Sequence, residues 1–63
     1  MKVLEDYLKV AGITQAELAK RAGINPGALN HFMQGRREPR IKNLRKLAEA
    51  TGISIENLVK NFV

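Results

Sequence analysis

The sequence has no cysteine, a single histidine, one tyrosine and two phenylalanines among 63 residues. Without cysteine there is no disulfide framework and no thiolate metal site. One histidine with scattered carboxylates cannot assemble a zinc centre. No apolar run approaches the roughly 20 residues needed to span a bilayer, so no membrane segment is expected. The opening MKVLEDYLKV carries acids inside its short apolar pattern and does not read as a signal peptide. Catalysis needs a poised nucleophile or an acid–base pair within reach. With no cysteine, one histidine and dispersed carboxylates, the chain is not expected to be an enzyme, nor to hold a cofactor or a small-molecule substrate. A low-complexity segment and the alternating pattern of a strand are also missing. The chain is short enough to be one domain, residues 1–63, and its core is marginal, since a domain of this size buries only about 60% of its unfolded surface.

Acidic residues are scarce as well. Six Asp and Glu stand against eleven Lys and Arg, a net charge of +5. Six of the eleven bases, Arg36, Arg37, Arg40, Lys42, Arg45 and Lys46, fall within residues 36–46, opposed there only by Glu38. A clustered basic patch on a small domain fits a polyanionic partner, most often nucleic acid; a plain solvated helix face would carry the same charges.

What the chain does have is repeated punctuation. AGIT (11–14), AGIN (22–25) and TGIS (51–54) share one form: a small residue, Gly, Ile, then Thr, Asn or Ser. Glycine after a helix supplies the left-handed position that ends it. The polar residue caps the next helix by accepting from its orphan N–H groups. Leu18, Leu29 and Leu58 each lie four residues past a cap, so each preceding Ile can staple to a leucine, and Thr14 with Glu17 makes a capping box. These signals predict five helices joined by tight corners: about 2–11 with Leu4, Tyr7, Leu8 and Ala11 on one face; about 15–22 with Leu18, Ala19 and Ala22 inward; Pro26 to about Gln34, with Leu29 and Phe32 inward and a stop at Gly35; about 40–51 with Ile41, Leu44, Leu47 and Ala48 inward; and Ile55 to about Asn61 with Ile55, Leu58, Val59 and Phe62 apolar.

Within Gln15–Gln34, Ala19 is small where two helices must cross, Gly23 permits a sharp turn, and Ile24, Leu29 and Phe32 hold the second helix on the first. That is the spacing of a helix-turn-helix, two helices at about 90–120° joined by a short turn.

The stretch TQAELAKRAGINPGALNHFMQGRREP followed by IKNLRKLAEATGISIENLV resembles the lambda-repressor/Cro-like, XRE-type helix-turn-helix domain over nearly the whole chain. The closest matches are TQAELAKRAG, the Gly35-x-x-x-Pro39 spacing and LRKLAEATGIS. The resemblance implies an all-α, five-helix bundle in which helix 3 enters the major groove of double-stranded DNA, usually as a dimer on a two-fold operator. By position it implies that Pro26, Gly27, Ala28, Asn30 and His31 face base edges. Gln15 would hold a phosphate and brace the reading helix, and Gln34 would contact a phosphate at its end. Arg40 would approach the minor groove or backbone, with Arg36, Arg37, Lys42 and Asn43 as further backbone contacts, so that residues 34–46 carry the phosphate contacts. The implied function is sequence-specific DNA binding by a repressor-like transcriptional regulator, cytoplasmic and nucleoid-associated, or by an engineered reader on that scaffold.

Two departures from the family pattern matter. Leu8 and Met33 stand where the family often pairs an Arg with a Glu; an apolar pair avoids the desolvation cost of a buried ion pair. Pro26-Gly27-Ala28 stands where polar residues often open helix 3. Proline suits the first helical position because its missing N–H would be an orphan there. Gly27 is less expected, since glycine costs about 1 kcal/mol against alanine within a helix. A close approach to DNA, with free N–H groups at the helix start meeting a phosphate and Pro26 or Ala28 touching a thymine methyl, would account for it. Hydrogen bonding to bases would then fall to Asn30, which can pair bidentately with adenine, to His31 and to the arginines. Phe32, Phe62 and Tyr7 sit at core spacing rather than as base-stacking groups. The same bare helix start also supports a second reading: an interaction module that keeps the fold without reading DNA, such as an antitoxin-like or dimerisation domain. Its apolar helix 5 end (Val59, Phe62, Val63) would then meet a partner or a second copy in a homodimer.

Overall fold

A computed structural model describes residues 1–60 and contains α1 (Lys2–Ala11), α2 (Gln15–Ala22), α3 (Pro26–Met33), α4 (Ile41–Thr51) and α5 (Ile55–Lys60), with no strand among those residues. The expected helix end at Asn61 and the apolar Phe62 and Val63 lie outside the described residues.

The corners are built as the spacing predicts. At the α2–α3 corner Gly23 has φ +69°, a left-handed conformation that only glycine adopts cheaply. Its N–H donates to the Lys20 carbonyl at 3.3 Å, and the Ile24 N–H reaches back to the Ala19 carbonyl at 2.9 Å, the paired bonds of a Schellman ending. Ile24 then buries its side chain, and Asn25 caps the next helix. Gly12 and Gly52 also end α1 and α4 in the left-handed conformation, their N–H groups donating to the Leu8 and Ala48 carbonyls, and Thr14 Oγ1 and Ser54 Oγ accept from the Glu17 and Asn57 N–H groups at 3.1 and 3.2 Å. The Glu17 carboxylate turns to Arg21, 3.9 Å away, so the Thr14 half of the expected capping box forms alone. After Thr51 the pattern changes: its hydroxyl donates to the Leu47 carbonyl at 2.7 Å and accepts from the Ile53 N–H at 3.1 Å. α3 ends at Met33, one residue earlier than expected, because Gly35 and Arg36 already make Schellman bonds to the Phe32 and His31 carbonyls.

Each helix contributes one leucine with no exposed surface: Leu4, Leu18, Leu29, Leu47 and Leu58. Three of them, Leu18, Leu29 and Leu58, are the staple positions. Full burial of a leucine is worth about 1.5–3 kcal/mol, so these five side chains anchor the bundle. Ala19, Ala22, Ile24, Phe32, Met33 and Leu44 complete the core, and Leu8, Tyr7, Ala48 and Ile55 pack against it. Leu8 and Met33 therefore join the same apolar interior, as the absence of an ion pair there predicts. Tyr7 adds a polar tie, its hydroxyl donating to the Ala50 carbonyl at 3.5 Å.

Two apolar expectations fail: Ile41 is 56% exposed, and Ala11 is exposed. Val59, apolar at the end of α5, is 40% exposed. Ile41 is the first residue of α4, and helix side chains lean toward the N-terminus, which carries it off the end of the helix rather than onto the core. Val59 follows Leu58 by about 100° around a short helix whose inward direction Leu58 already occupies. Ala11 lies where the chain turns away at the Gly12 corner. No described helix is long and apolar enough to cross a membrane.

Candidate nucleic-acid interface

α2 and α3 pack against each other, and Ala19 on α2 is fully buried. Leu29, Phe32 and Met33 turn the other side of α3 into the core. This orientation leaves Pro26, Gly27, His31 and Gln34 exposed and Asn30 half-buried. Five of the six positions expected on the reading helix therefore form its outer side. Ala28 does not share it cleanly: it is half-buried and packs against the core.

The start of α3 differs from expectation. Asn25 Oδ1 accepts from the Gly27 N–H at 2.8 Å and from the Ala28 N–H at 3.3 Å. Pro26 has no N–H, and the Leu29 N–H bonds the Asn25 carbonyl at 3.0 Å. The first turn thus has no free N–H to offer a phosphate, because the cap has taken them. The same cap gives an intramolecular reason for Gly27. A Cβ at that position would stand 3.1 Å from Asn25 Oδ1, closer than a carbon and an oxygen comfortably pack.

Asn30 sits at the centre of a chain of carboxamides. Gln15 Nε2, from the first turn of α2, donates to Asn30 Oδ1 at 3.2 Å, and Gln34 Nε2 donates to the same oxygen at 3.3 Å. Gln15 thereby braces α3, one of the two roles the resemblance implied for it. The Asn30–Gln34 half was accessible from sequence as an i, i+4 amide pair; the Gln15–Asn30 half depends on the helix crossing and was not. His31 is exposed and makes no side-chain hydrogen bond within the described residues.

Beyond α3, the basic segment runs Gly35 to Arg40 into α4. Arg37, Arg40 and Asn43 line a cleft of about 480 Å³ with Ala28 and Phe32, and Glu38 shares its wall. Arg36 and Lys42 are exposed but do not line it. Pro39 is buried and anchors this segment. The ion pairs among the described residues join Lys2 to Asp6 and Arg21 to Glu17; none neutralises Arg36, Arg37, Arg40, Lys42 or Arg45. α4 begins without a side-chain cap and without an acid in its first turn, so the positive end of its dipole adds to the same field. Lys46 departs from the cluster. Its ammonium donates to the Gly23 carbonyl at 3.3 Å, tying α4 to the α2–α3 corner, a contact that the sequence pattern gave no sign of.

A helix-turn-helix family profile matches residues 4–58. An uncharacterised HTH-type transcriptional regulator, y4dJ, of Sinorhizobium fredii (strain NBRC 101917 / NGR234) is 40% identical over 48 residues, 76% of this chain and 62% of that protein. The aligned region thus spans less than two thirds of the relative's length. No solved structure gives a significant match.

Proposed function

This chain belongs to the helix-turn-helix family, in the lambda-repressor/Cro-like, XRE-type branch, and from that premise we propose that it binds double-stranded DNA as a transcriptional regulator, with α3 in the major groove. The observation that carries the proposal is the outer side of α3. It presents Asn30, His31 and Gln34 beside an unneutralised basic segment. An eight-residue helix is about 12 Å long and 10–12 Å across, which suits a major groove about 12 Å wide.

In this reading Asn30 and His31 contact base edges, Gly27 lets the helix end come close to the groove floor with no side chain in the way, and the Pro26 ring offers apolar contact. Ala28 contributes apolar contact at most, since much of its methyl is held by the core. Gln15, Gln34, Arg36, Arg37, Arg40, Lys42 and Asn43 hold phosphates. Arg37, Arg40 and Asn43 do so from the cleft, and Lys46 acts by holding the helix-turn-helix corner to α4. The chain works by binding and not by catalysis, as one domain, on the bacterial-type nucleoid in the cytoplasm. A homodimer is the arrangement in which such a domain reads a two-fold site.

Selection of binding sites from random duplex DNA tests the proposal. His31→Ala is expected to lower discrimination at one position by about 1–3 kcal/mol. Arg37→Ala and Arg40→Ala are expected to weaken all sequences alike. Unchanged site preference in His31→Ala would remove that residue from the reading face. The bare start of α3 favours a second reading, a protein-interaction module. A concentration-dependent complex with protein, together with no shift of any duplex, would support it instead.

A further inference from the structure

Leu29, Phe32 and Met33 turn into the core, and at about 100° per residue His31 falls nearly opposite them on α3. It is exposed, and its side chain has no hydrogen-bond or ion-pair partner among the described residues. Helix side chains lean toward the N-terminus. One turn back on that side stands Gly27, with no side chain to lie in the way. The imidazole is therefore free to meet a ligand along the outer side of the helix.

Histidine is the side chain whose charge ordinarily changes between about pH 5 and pH 8, and His31 is the chain's one histidine. A neutral imidazole has one donor and one acceptor nitrogen; the imidazolium has two donors and a positive charge. No carboxylate pairs with His31 among the described residues. Gly27 and Gln34, its neighbours on the same side of α3, are uncharged. Arg36, just past the helix, donates its backbone N–H to the His31 carbonyl at 3.0 Å. On α2, Gln15 is engaged with Asn30 and Glu17 with Arg21. On α1, the Met1 ammonium donates to the Met33 carbonyl at 2.9 Å. Glu38 lies in the cleft against Ala28 and Phe32, beside Arg37 and Arg40. A counter-charge for His31 therefore has to come from the ligand, and the groove of a duplex supplies one. Resting on the reading of α3 as the groove helix, we infer that His31 is a specificity-determining residue that binds DNA as the imidazolium: it takes up a proton on binding and selects guanine, whose O6 and N7 are adjacent acceptors favoured by cationic side chains. Uncharged, the same ring also carries an acceptor and meets adenine N6–H or cytosine N4–H as readily, so base preference at this position depends on pH. Because the complex favours the protonated ring, affinity is fully present at low pH and is lost as pH rises through the titration of the bound ring.

The test is site selection from random duplex DNA with the full chain at about pH 5.5 and about pH 8, followed by fluorescence anisotropy on the selected site. Thermal unfolding checks that each protein is folded at both values. Wild-type affinity is expected to fall roughly tenfold from the lower pH to the higher. Guanine is expected at one position at the lower pH, with that preference relaxed at the higher and other positions holding. His31→Gln removes the titrating ring and is expected to abolish both pH effects, which separates the ring from the Met1 ammonium at the end of α3. His31→Arg fixes the charge, and guanine is expected there at both pH values. Wild-type affinity and preference that ignore pH overturn the inference, as does a pH dependence that survives in His31→Gln. Either result with selective binding intact sinks this inference alone. No binding of the folded wild type to any duplex sinks the DNA reading, and this with it.

Discussion

At position 27 two effects of similar size oppose each other. Alanine in place of glycine gains up to about 1 kcal/mol of helix propensity. The added Cβ, however, would stand 3.1 Å from Asn25 Oδ1, the atom that satisfies the Gly27 and Ala28 N–H groups, and a cap of this kind is worth about 1 kcal/mol. Gly27→Ala is therefore expected to be near neutral in the wild type and stabilising by up to about 1 kcal/mol in an Asn25→Ala background. Urea unfolding of the four proteins measures the coupling, and an equal effect in both backgrounds would contradict it. The sequence marks Gly27 as unusual but not why. Spacing identifies Asn25 as a cap; it does not show that the cap's oxygen reaches two successive N–H groups and leaves little room for a methyl. The same limit applies to Asn30, whose outward position follows from helical periodicity, while the occupation of its oxygen by Gln15 follows only from the crossing of α2 and α3.

At the scale of elements, the corners carry the fold. Gly23 has open space around a built Cβ but a φ of +69°, so Gly23→Ala introduces backbone strain without a steric clash. It is expected to cost about 1–2 kcal/mol, and thermal or urea unfolding reads it directly. A loss below a few tenths would mean that the corner relaxes out of the left-handed region. All five helices were legible because α2 to α5 each begin at a cap or a proline-marked break, and four of the five end at a glycine. Their inward faces were legible wherever a leucine sits mid-helix, at Leu4, Leu18, Leu29, Leu47 and Leu58. Errors cluster at helix ends: Ala11 beside Gly12 and Ile41 at the start of α4. Periodicity assumes that a helix continues in both directions. At a helix start the side chain leans past the last packed neighbour, at a helix end the chain turns away, and in both places the pattern no longer reports burial.

Across the whole molecule, charge is the property most directly tied to the proposed role. Net charge of +5 was plain from composition, but composition did not separate free cations from engaged ones. The structure assigns Lys46 to the Gly23 carbonyl, Arg21 to Glu17 and Lys2 to Asp6. Arg36, Arg37, Arg40, Lys42 and Arg45 are exposed and without ion pairs among the described residues. If Arg45 joins the four of these already assigned to phosphates, the five contacts release counterions, and affinity should fall with salt at about −0.9 per contact on a log–log plot. Titrating the full chain against a duplex of random sequence, by fluorescence anisotropy across a range of salt concentrations, measures this slope. A slope of about −4 to −5 is the expected result; no binding even at low ionic strength, or binding indifferent to salt, would contradict the account.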